Sequence, residues 1–173
     1  MKPLVIVLMG VAGAGKSTVG EALSAALGWP FRDADSFHPP ANVEKMSRGL
    51  PLDDADRAPW LAAIARWIDG RLAAGEPGIV SCSALKRAYR QRIIGARDGV
   101  RLVYLAGDRE LIAGRLAARK GHFMPASLLD SQLATLEEPG PEERPIVVSV
   151  LPPPSEVAGA VIAALGLRAA GEG

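Results

Sequence analysis

The sequence predicts an α/β fold in three layers, in which helices cover both faces of a five-stranded parallel sheet. Two observations support this fold class. Short apolar runs rich in β-branched residues alternate with longer segments whose apolar residues recur at helical spacing. This alternation is typical of a parallel sheet with right-handed crossover connections. In addition, glycine-rich and charged stretches follow the predicted strands, which is where open parallel sheets bind their ligands.

The first half of the chain predicts two strands and two helices. Residues 4–9 are apolar, few and bounded by glycine, which indicates a buried strand. Residues 16–27 carry one apolar face and end at a glycine, as a helix does. Residues 29–32 predict a second short strand that ends at an acidic pair. Residues 54–74 place tryptophan, leucine and isoleucine at helical spacing and therefore predict a long helix.

The second half predicts three strands and four helices. The expected strands span residues 78–85, 100–107 and 146–150. The expected helices span residues 86–96, about 108–119, 128–136 and 156–165. An acidic, proline-rich loop with the sequence EEPGPEERP precedes the last strand. We expect a single domain over residues 1–168 and a frayed tail over residues 169–173.

Composition narrows the class of protein. Of the 173 residues, 49% are hydrophobic and 23% are charged, which is ordinary for a soluble globular domain. The net charge of +1 gives no overall field that would attract nucleic acid or an anionic membrane. Cys82 is the only cysteine, so no intrachain disulfide can form. No apolar run approaches the length of about 18 residues that spans a membrane. We therefore expect a cytoplasmic protein.

The stretch LMGVAGAGKST, from residue 8 to residue 18, is a phosphate-binding motif. Gly10, Gly13 and Gly15 let the backbone curl so that successive N–H groups point at phosphate oxygens. The helix that follows presents its positive N-terminus to the same anion. Lys16 can reach the β- and γ-phosphates of a nucleotide, and the Ser17 hydroxyl can bind Mg²⁺. The residues expected to contact the nucleotide are Gly10, Val11, Ala12, Gly13, Ala14, Gly15, Lys16, Ser17 and Thr18.

Nucleotide binding alone does not separate a kinase from a regulatory GTPase or a binding module. A GTPase needs an Asn-Lys-x-Asp motif to read its base. Asn42 is the single asparagine of this chain, and no Asp-x-x-Gly switch element is present. A module that only binds nucleotide would not explain the acidic and basic residues that follow the second, third and fourth predicted strands. The residues therefore favour a kinase.

Two carboxylates, Asp33 and Asp35, follow the second predicted strand. In a kinase one carboxylate orients or deprotonates the acceptor hydroxyl while the other holds Mg²⁺ through water. The alternative is that both residues cap a turn before two prolines. No acidic residue ends the third predicted strand, and Asp108 is expected to cap the next helix. We therefore assign Mg²⁺ to Ser17 and, through water, to Asp33.

Basic residues lie after the second and third predicted strands. Those expected to bind an anionic substrate are His38, Lys45, Arg48, Lys86 and Arg90. Lys86 and Arg90 are four residues apart on a predicted helix, so they are expected to share one of its faces. The alternative for each of these residues is a solvated surface charge.

A third basic group, comprising Arg115, Arg119, Lys120 and His122, leads into a glycine-containing break after the fourth strand. Its position predicts a mobile lid at about residues 119–138, whose arginine neutralises the transferring phosphoryl group and helps to exclude water. We assign Arg119 to catalysis, Arg115 to the nucleotide and His122 to the substrate. The alternative is an exposed helix end, where the helix dipole also favours cations.

Four stretches carry a resemblance to a known family. They are MGVAGAGKST, DADSFHPPANVEKMSRGLPLDDADRAPWL, SCSALKRAYRQRI and RKGHFMPASLLDSQLATLEEP, and they span residues 9–139. In these stretches the chain resembles the gluconokinases, small P-loop kinases that transfer the γ-phosphate of ATP to the 6-hydroxyl of D-gluconate. The resemblance implies a nucleoside-monophosphate-kinase-like fold with a substrate-binding helical segment and a lid. It also implies ATP, Mg²⁺ and a homodimer.

The resemblance assigns residues 10–18 to ATP and Mg²⁺ and the loop after Asp35 to the sugar acid. By analogy with small kinases of similar architecture, Asp35 is the base. The chain departs from the family at Ala34, because the family usually has glycine between the two aspartates. Residue chemistry alone leaves open a shikimate-kinase-like enzyme, a nucleoside monophosphate kinase and a non-catalytic ATP-binding module. The motif over residues 38–61 favours gluconate among them.

Overall fold

The computed structural model of the chain describes residues 4–118 and 126–169. Its strands are β1 (Val5–Met9), β2 (Phe31–Asp33), β3 (Gly78–Ser81), β4 (Val100–Ala106) and β5 (Ile146–Ser149). They form one parallel sheet in the order β2-β3-β1-β4-β5. The five-stranded parallel sheet that the sequence predicts is thereby confirmed.

Seven α-helices connect or follow the strands in the described ranges. They are α1 (Lys16–Leu27), α2 (Pro40–Ser47), α3 (Asp54–Ala74), α4 (Arg87–Ile93), α5 (Arg109–Ala118), α6 (Ala126–Thr135) and α7 (Pro154–Ala164). Short 3₁₀ turns occupy Ala34–Phe37 and Pro141–Glu143. None of the helices in these ranges combines the length and apolar character needed to cross a bilayer.

The hydrophobic core lies on both faces of the sheet. Every side chain of β1 is fully buried, as its central position requires. Because side chains alternate along a strand, Ile6 and Leu8 face the layer that contains α1, α5 and α7. Val5, Val7 and Met9 face the opposite layer, which contains α3 and α4. The continuous apolar run at residues 4–9 is therefore the signature of a strand covered on both sides.

The helix α3 begins and ends where the sequence predicts. The Asp53 carboxylate accepts a hydrogen bond from Asp56 N at 2.7 Å, and the Asp56 carboxylate accepts one from Asp53 N at 2.9 Å. These reciprocal bonds form a capping box that satisfies two of the N–H groups at the helix start. At the other end Gly75 adopts φ 68°, a left-handed conformation that favours glycine and ends the helix.

Several elements differ from the sequence-based expectation. The strand β3 ends at Ser81 instead of residue 85, and α4 ends at Ile93 instead of residue 96. The strand β2 begins at Phe31 instead of residue 29 and includes Asp33. The helix α2 was not expected, because two consecutive prolines suggest a loop. Pro40 is nevertheless compatible with a helix because it occupies the first helical position, where its missing N–H needs no partner. Of the expected lid, residues 119–125 lie outside the described part of the chain.

Candidate active site

The glycine-rich loop connects the carboxyl end of β1 to the start of α1. Gly13 and Gly15 adopt φ 84° and 91°, which L side chains rarely tolerate. A Cβ atom on Gly13 would also lie 2.7 Å from Leu116 Cγ, so the loop packs too closely against α5 for a larger residue. Gly15 provides no side chain to cap α1, which leaves the helix N-terminus able to bind an anion.

Lys16 is held over this loop. Its Nζ donates hydrogen bonds to the carbonyl oxygens of Gly10 at 2.8 Å and Val11 at 3.1 Å. The ammonium group therefore lies beside the loop whose curled backbone would surround phosphate, as the motif predicts.

The Ser17 hydroxyl and the Asp33 carboxylate are brought together by α1 and β2. Ser17 Oγ donates to Asp33 Oδ2 at 2.8 Å, although the residues are 16 positions apart in the chain. The second carboxylate oxygen of Asp33 accepts from Asp35 N at 2.9 Å, which fixes the side chain. A hydroxyl and a carboxylate oxygen beside a phosphate loop are the hard donors that suit Mg²⁺. The residues present thus fit this ion.

Asp35 follows β2 in the 3₁₀ turn and lines a cavity of about 720 Å³ next to the glycine-rich loop. Burial of its carboxyl raises its pKa, and the nearby charge of Asp33 raises it further, against the opposing influence of His38 and Lys16. A base with a raised pKa accepts a proton more readily than an ordinary aspartate. The geometry is therefore compatible with Asp35 acting on an acceptor hydroxyl.

His38 also lines this cavity, which we call the acceptor cavity. Its ring stacks on Trp60 with a centroid distance of 4.5 Å and an interplanar angle of 10°. The Asn42 amide nitrogen lies 3.2 Å from His38 Nδ1, and in the neutral ring this contact makes Nδ1 the acceptor and Nε2 the donor. Burial lowers the pKa of His38, and Arg57 lowers it further while Asp35 opposes the shift. His38 is therefore a neutral donor at pH 7.

The cations on the wall of the acceptor cavity are Arg57 and Lys86. Arg57 Nη1 donates to Tyr89 Oη at 3.3 Å, and Tyr89 Oη donates to Asp54 Oδ1 at 2.7 Å. Lys86 Nζ lies 5.6 Å from the centroid of the Tyr89 ring. Arg57 and Tyr89 were missed by the sequence analysis. The sequence could have indicated Arg57, because it lies three residues before Trp60 and therefore on the same face of the predicted helix.

Several expected substrate residues do not line the acceptor cavity. Lys45 Nζ pairs with Asp56 Oδ2 at 2.6 Å, and Arg48 Nη1 lies 3.9 Å from Glu44 Oε1 on the exposed side of α2. Arg115, expected at the nucleotide, donates from Nη2 to the Leu151 carbonyl at 3.2 Å. Arg119, Lys120 and His122 lie outside the described residues.

The expectation that Arg90 contacts the substrate needs correction. Arg90 is 1% exposed, and its guanidinium binds the Glu143 carboxylate and the carbonyl oxygens of Ala84 and Leu85. The helix-face argument fails because α4 begins only at Arg87. Lys86 precedes it with an extended backbone, φ −98° and ψ 141°, so the two side chains point to different places.

The helix α6 makes a contact that sequence reasoning did not find. Gln132 Oε1 accepts a hydrogen bond from Ala12 N in the glycine-rich loop at 2.6 Å, across 120 positions of sequence. Gln132 also lines the acceptor cavity. No local pattern marks such a residue, because the contact depends on how α6 packs against the sheet.

Comparisons with known proteins agree with this geometry. Residues 5–139 match the family model described as an AAA domain. The chain is 52% identical over 149 residues to a gluconokinase of Gluconobacter oxydans (strain 621H), covering 86% of this chain and 84% of that protein. It is also similar to the crystal structure of a gluconokinase from Sinorhizobium meliloti 1021, with a TM-score of 0.83 and 50% identity over 95% of this chain and 93% of that one.

A more distant structural relative supports the fold alone. A shikimate kinase from Bacteroides thetaiotaomicron has a TM-score of 0.66 but only 18% identity, over 95% of this chain and 98% of that one. The range that matches the family model, residues 5–139, includes the glycine-rich loop and the lining of the acceptor cavity. From the fold, the phosphate loop and these relatives together, it follows that the chain belongs to the gluconokinase family of P-loop kinases.

Proposed function

We propose that this protein transfers the γ-phosphoryl group of ATP to the 6-hydroxyl of D-gluconate, which yields 6-phospho-D-gluconate and ADP. The observation that carries the proposal is the position of Asp35. This carboxyl lines a cavity with Arg57 and Lys86 on its wall, and it is close enough to the phosphate loop for the charge of Lys16 to lower its pKa. An anionic alcohol is the class of acceptor that suits both features, and the relatives named as gluconokinases support gluconate within that class.

On the nucleotide side, the N–H groups of the glycine-rich loop and the Lys16 ammonium bind the phosphates of ATP. Ser17 would bind Mg²⁺ directly and Asp33 would bind it through water. Ser17 Oγ and Asp33 Oδ2 are 2.8 Å apart. When bound, this ion neutralises charge on the phosphates during transfer. The loop residues and Thr18 lie between the end of β1 and the first turn of α1, which supports this role.

On the acceptor side, Asp35 accepts the proton that leaves the 6-hydroxyl as the oxygen attacks the γ-phosphorus. Arg57 and Lys86 attract the carboxylate of gluconate, and His38 offers its Nε2–H to a sugar hydroxyl. The flat Trp60–His38 stack gives one wall of the cavity a fixed surface. In a loose transition state, this positioning contributes more to rate than the strength of the base does.

Other assignments rest on the sequence and its resemblance alone. We propose that Arg119 neutralises the transferring phosphoryl group, that Arg115 assists the nucleotide and that His122 reaches the substrate from the lid. Lys45 lies in α2 and Arg48 directly follows it, and we propose that both bind the substrate although neither lines the acceptor cavity. A cytoplasmic homodimer with one domain over residues 1–168 is likewise a proposal.

The deciding experiment is a coupled assay of ADP release from Mg·ATP. D-Gluconate is compared with shikimate, AMP and a control without acceptor, and the Lys16→Ala variant serves as the matched inactive protein. We expect turnover with gluconate only, with 6-phosphogluconate as the product. Turnover with shikimate or AMP would show that the acceptor is not gluconate, while the assignment as a kinase would stand. Tight ATP binding with no turnover on any acceptor would favour a binding module.

A further inference from the structure

One side chain of α6, that of Gln132, contacts the glycine-rich loop and also lines the acceptor cavity. Gln132 Oε1 accepts a hydrogen bond from Ala12 N at 2.6 Å, and the same side chain lines the acceptor cavity. Gln132 is therefore in direct contact with both parts of the proposed active site, the phosphate loop and the acceptor cavity.

The chemistry of this bond orients the amide. A backbone N–H can only donate, so the carbonyl oxygen of the Gln132 amide must face Ala12. Its Nε2 then points away from the loop, and within the described ranges it forms no hydrogen bond. Two N–H donors are thus left on a half-buried side chain at the cavity wall. The expected partners of such donors are oxygen atoms of a bound substrate.

The rest of α6 is anchored, so the position of Gln132 is defined. Leu129 is fully buried one turn earlier, and Leu133 and Leu136 pack against the core. Just after the helix, Glu137 N donates to the Leu85 carbonyl at 2.8 Å. The Glu137 carboxylate in turn accepts from Arg87 N at 2.8 Å. The helix is therefore joined both to the sheet and to the turn after β3.

We propose that Gln132 positions the acceptor for phosphoryl transfer. Its carbonyl oxygen holds the phosphate loop through Ala12 N, and its Nε2–H donates to an oxygen of gluconate near the attacking hydroxyl. This inference rests on the proposed function and deepens it. No bond to Gln132 is made or broken, since the side chain acts only by fixing the distance between the acceptor and the phosphate loop. Orientation of a nucleophile by such a residue is a recurring device in phosphoryl transfer.

An amide is the group that can serve both partners at once. A glutamate at this position would still accept from Ala12 N, but it would offer no donor to the acceptor and would add negative charge beside the phosphates. A methionine would fill nearly the same volume with neither hydrogen bond. The two variants Gln132→Glu and Gln132→Met therefore separate the contact with the loop from the contact with the acceptor.

The test measures kcat, the KM for gluconate, the Kd for ATP and the Tm of both variants. Gln91→Glu on the exposed side of α4 is the matched control, because it makes the same change of charge outside the acceptor cavity. We expect both Gln132 variants to lose about tenfold to a hundredfold in kcat/KM for gluconate, as the loss of a hydrogen bond to a substrate does. The Kd for ATP should change by less than about threefold in the neutral variant Gln132→Met, and Gln91→Glu should match the wild type.

Two outcomes would overturn the inference. If both variants keep kcat/KM within about twofold of the wild type, Gln132 does not position the acceptor. If Gln132→Glu retains activity while Gln132→Met loses it, only the bond to the loop matters. Activity is expressed per folded protein at a temperature below each Tm, so instability cannot imitate the effect. Wild-type turnover of gluconate is measured first, and its absence would refute the proposed function without involving Gln132.

Discussion

Replacing Arg90 with methionine removes a buried guanidinium group while keeping most of its apolar stem. In the structure Arg90 is 1% exposed, and its Nε and Nη2 bind the two oxygens of Glu143 at 2.6 and 3.2 Å. Its Nη1 donates to the carbonyl oxygens of Ala84 at 2.8 Å and Leu85 at 3.2 Å. Ala84 has φ 45°, a left-handed conformation that a non-glycine residue adopts only when neighbours hold it.

The expected loss in the free energy of unfolding is larger when only Arg90 is removed than when Arg90 and Glu143 are removed together. Breaking a buried ion pair from one side costs about 3–5 kcal/mol, because the remaining charge is left without compensation. Glu143 is 14% exposed and can recover some contact with water, so we expect about 3 kcal/mol. For a chain of this size that corresponds to a fall in Tm of about 6–12 °C.

The pH dependence of this effect has a definite sign. Burial raises the pKa of Glu143, but hydrogen bonds from Arg90 and Gly140 N, with the charges of Arg90 and Arg87, outweigh burial and hold the pKa below its ordinary value. In the wild type the resulting stability is present at neutral pH and is lost as the pH falls through that lowered pKa. Without Arg90, burial dominates and the folded-state pKa rises. The Tm difference between wild type and variant should therefore shrink as the pH falls from 7 toward 4.

The assay is thermal unfolding followed by circular dichroism, with Arg87→Met as the matched control. Arg87 pairs with Glu142 at 2.7 Å, but both side chains are about half exposed, so the pair is worth less than about 1 kcal/mol. The double variant Arg90→Met/Glu143→Gln should recover part of the lost stability because it removes the unpaired charge. A Tm for Arg90→Met within about 2 °C of the wild type, or additive losses in the double variant, would refute the reasoning.

The remaining predictions concern the active site. Asp35→Asn should lower kcat by about a hundredfold or more with little change in the KM for ATP, and a raised KM for ATP with an intact kcat would instead assign Asp35 to the nucleotide. Because partial desolvation and the charge of Asp33 raise the pKa of Asp35, the wild-type kcat/KM should fall on the acid side at a pH above the ordinary pKa of aspartate, and a pH profile checks this. Lys16→Ala should keep the Tm and lose about a hundredfold or more in kcat, because the cation at the phosphates is removed. Burial raises the pKa of Cys82 to about 12, so iodoacetamide should modify this thiol only after unfolding, and labelling of the native protein at pH 8 would contradict its buried position.

Local patterns were sufficient to predict the sheet and the strand–loop–helix arrangement of the glycine-rich motif, and they placed Asp33 and Asp35 at the carboxyl end of β2. The run at residues 4–9 predicts a buried strand because strands of a parallel sheet are covered on both faces. The glycines that follow it indicate a phosphate-binding loop, and Gly13 and Gly15 adopt the positive φ that such a loop requires. Asp33 and Asp35 could be placed at the site because the carboxyl ends of parallel strands share one edge. These inferences depend only on neighbours in the chain and on the rules of α/β topology.

The tertiary structure alone decided which basic residues face the acceptor. Arg90 and Arg57 are indistinguishable as arginines on amphipathic helices, yet one lies beneath a strained turn paired with Glu143 and the other lines the cavity. Likewise, nothing local marks Gln132 as the partner of Ala12 across 120 positions. The sequence by itself determined the layers and the phosphate loop, because periodicity and glycine geometry act over a few residues. The partners of each long polar side chain were decided by packing, because burial and counter-charges come from segments far away in the chain.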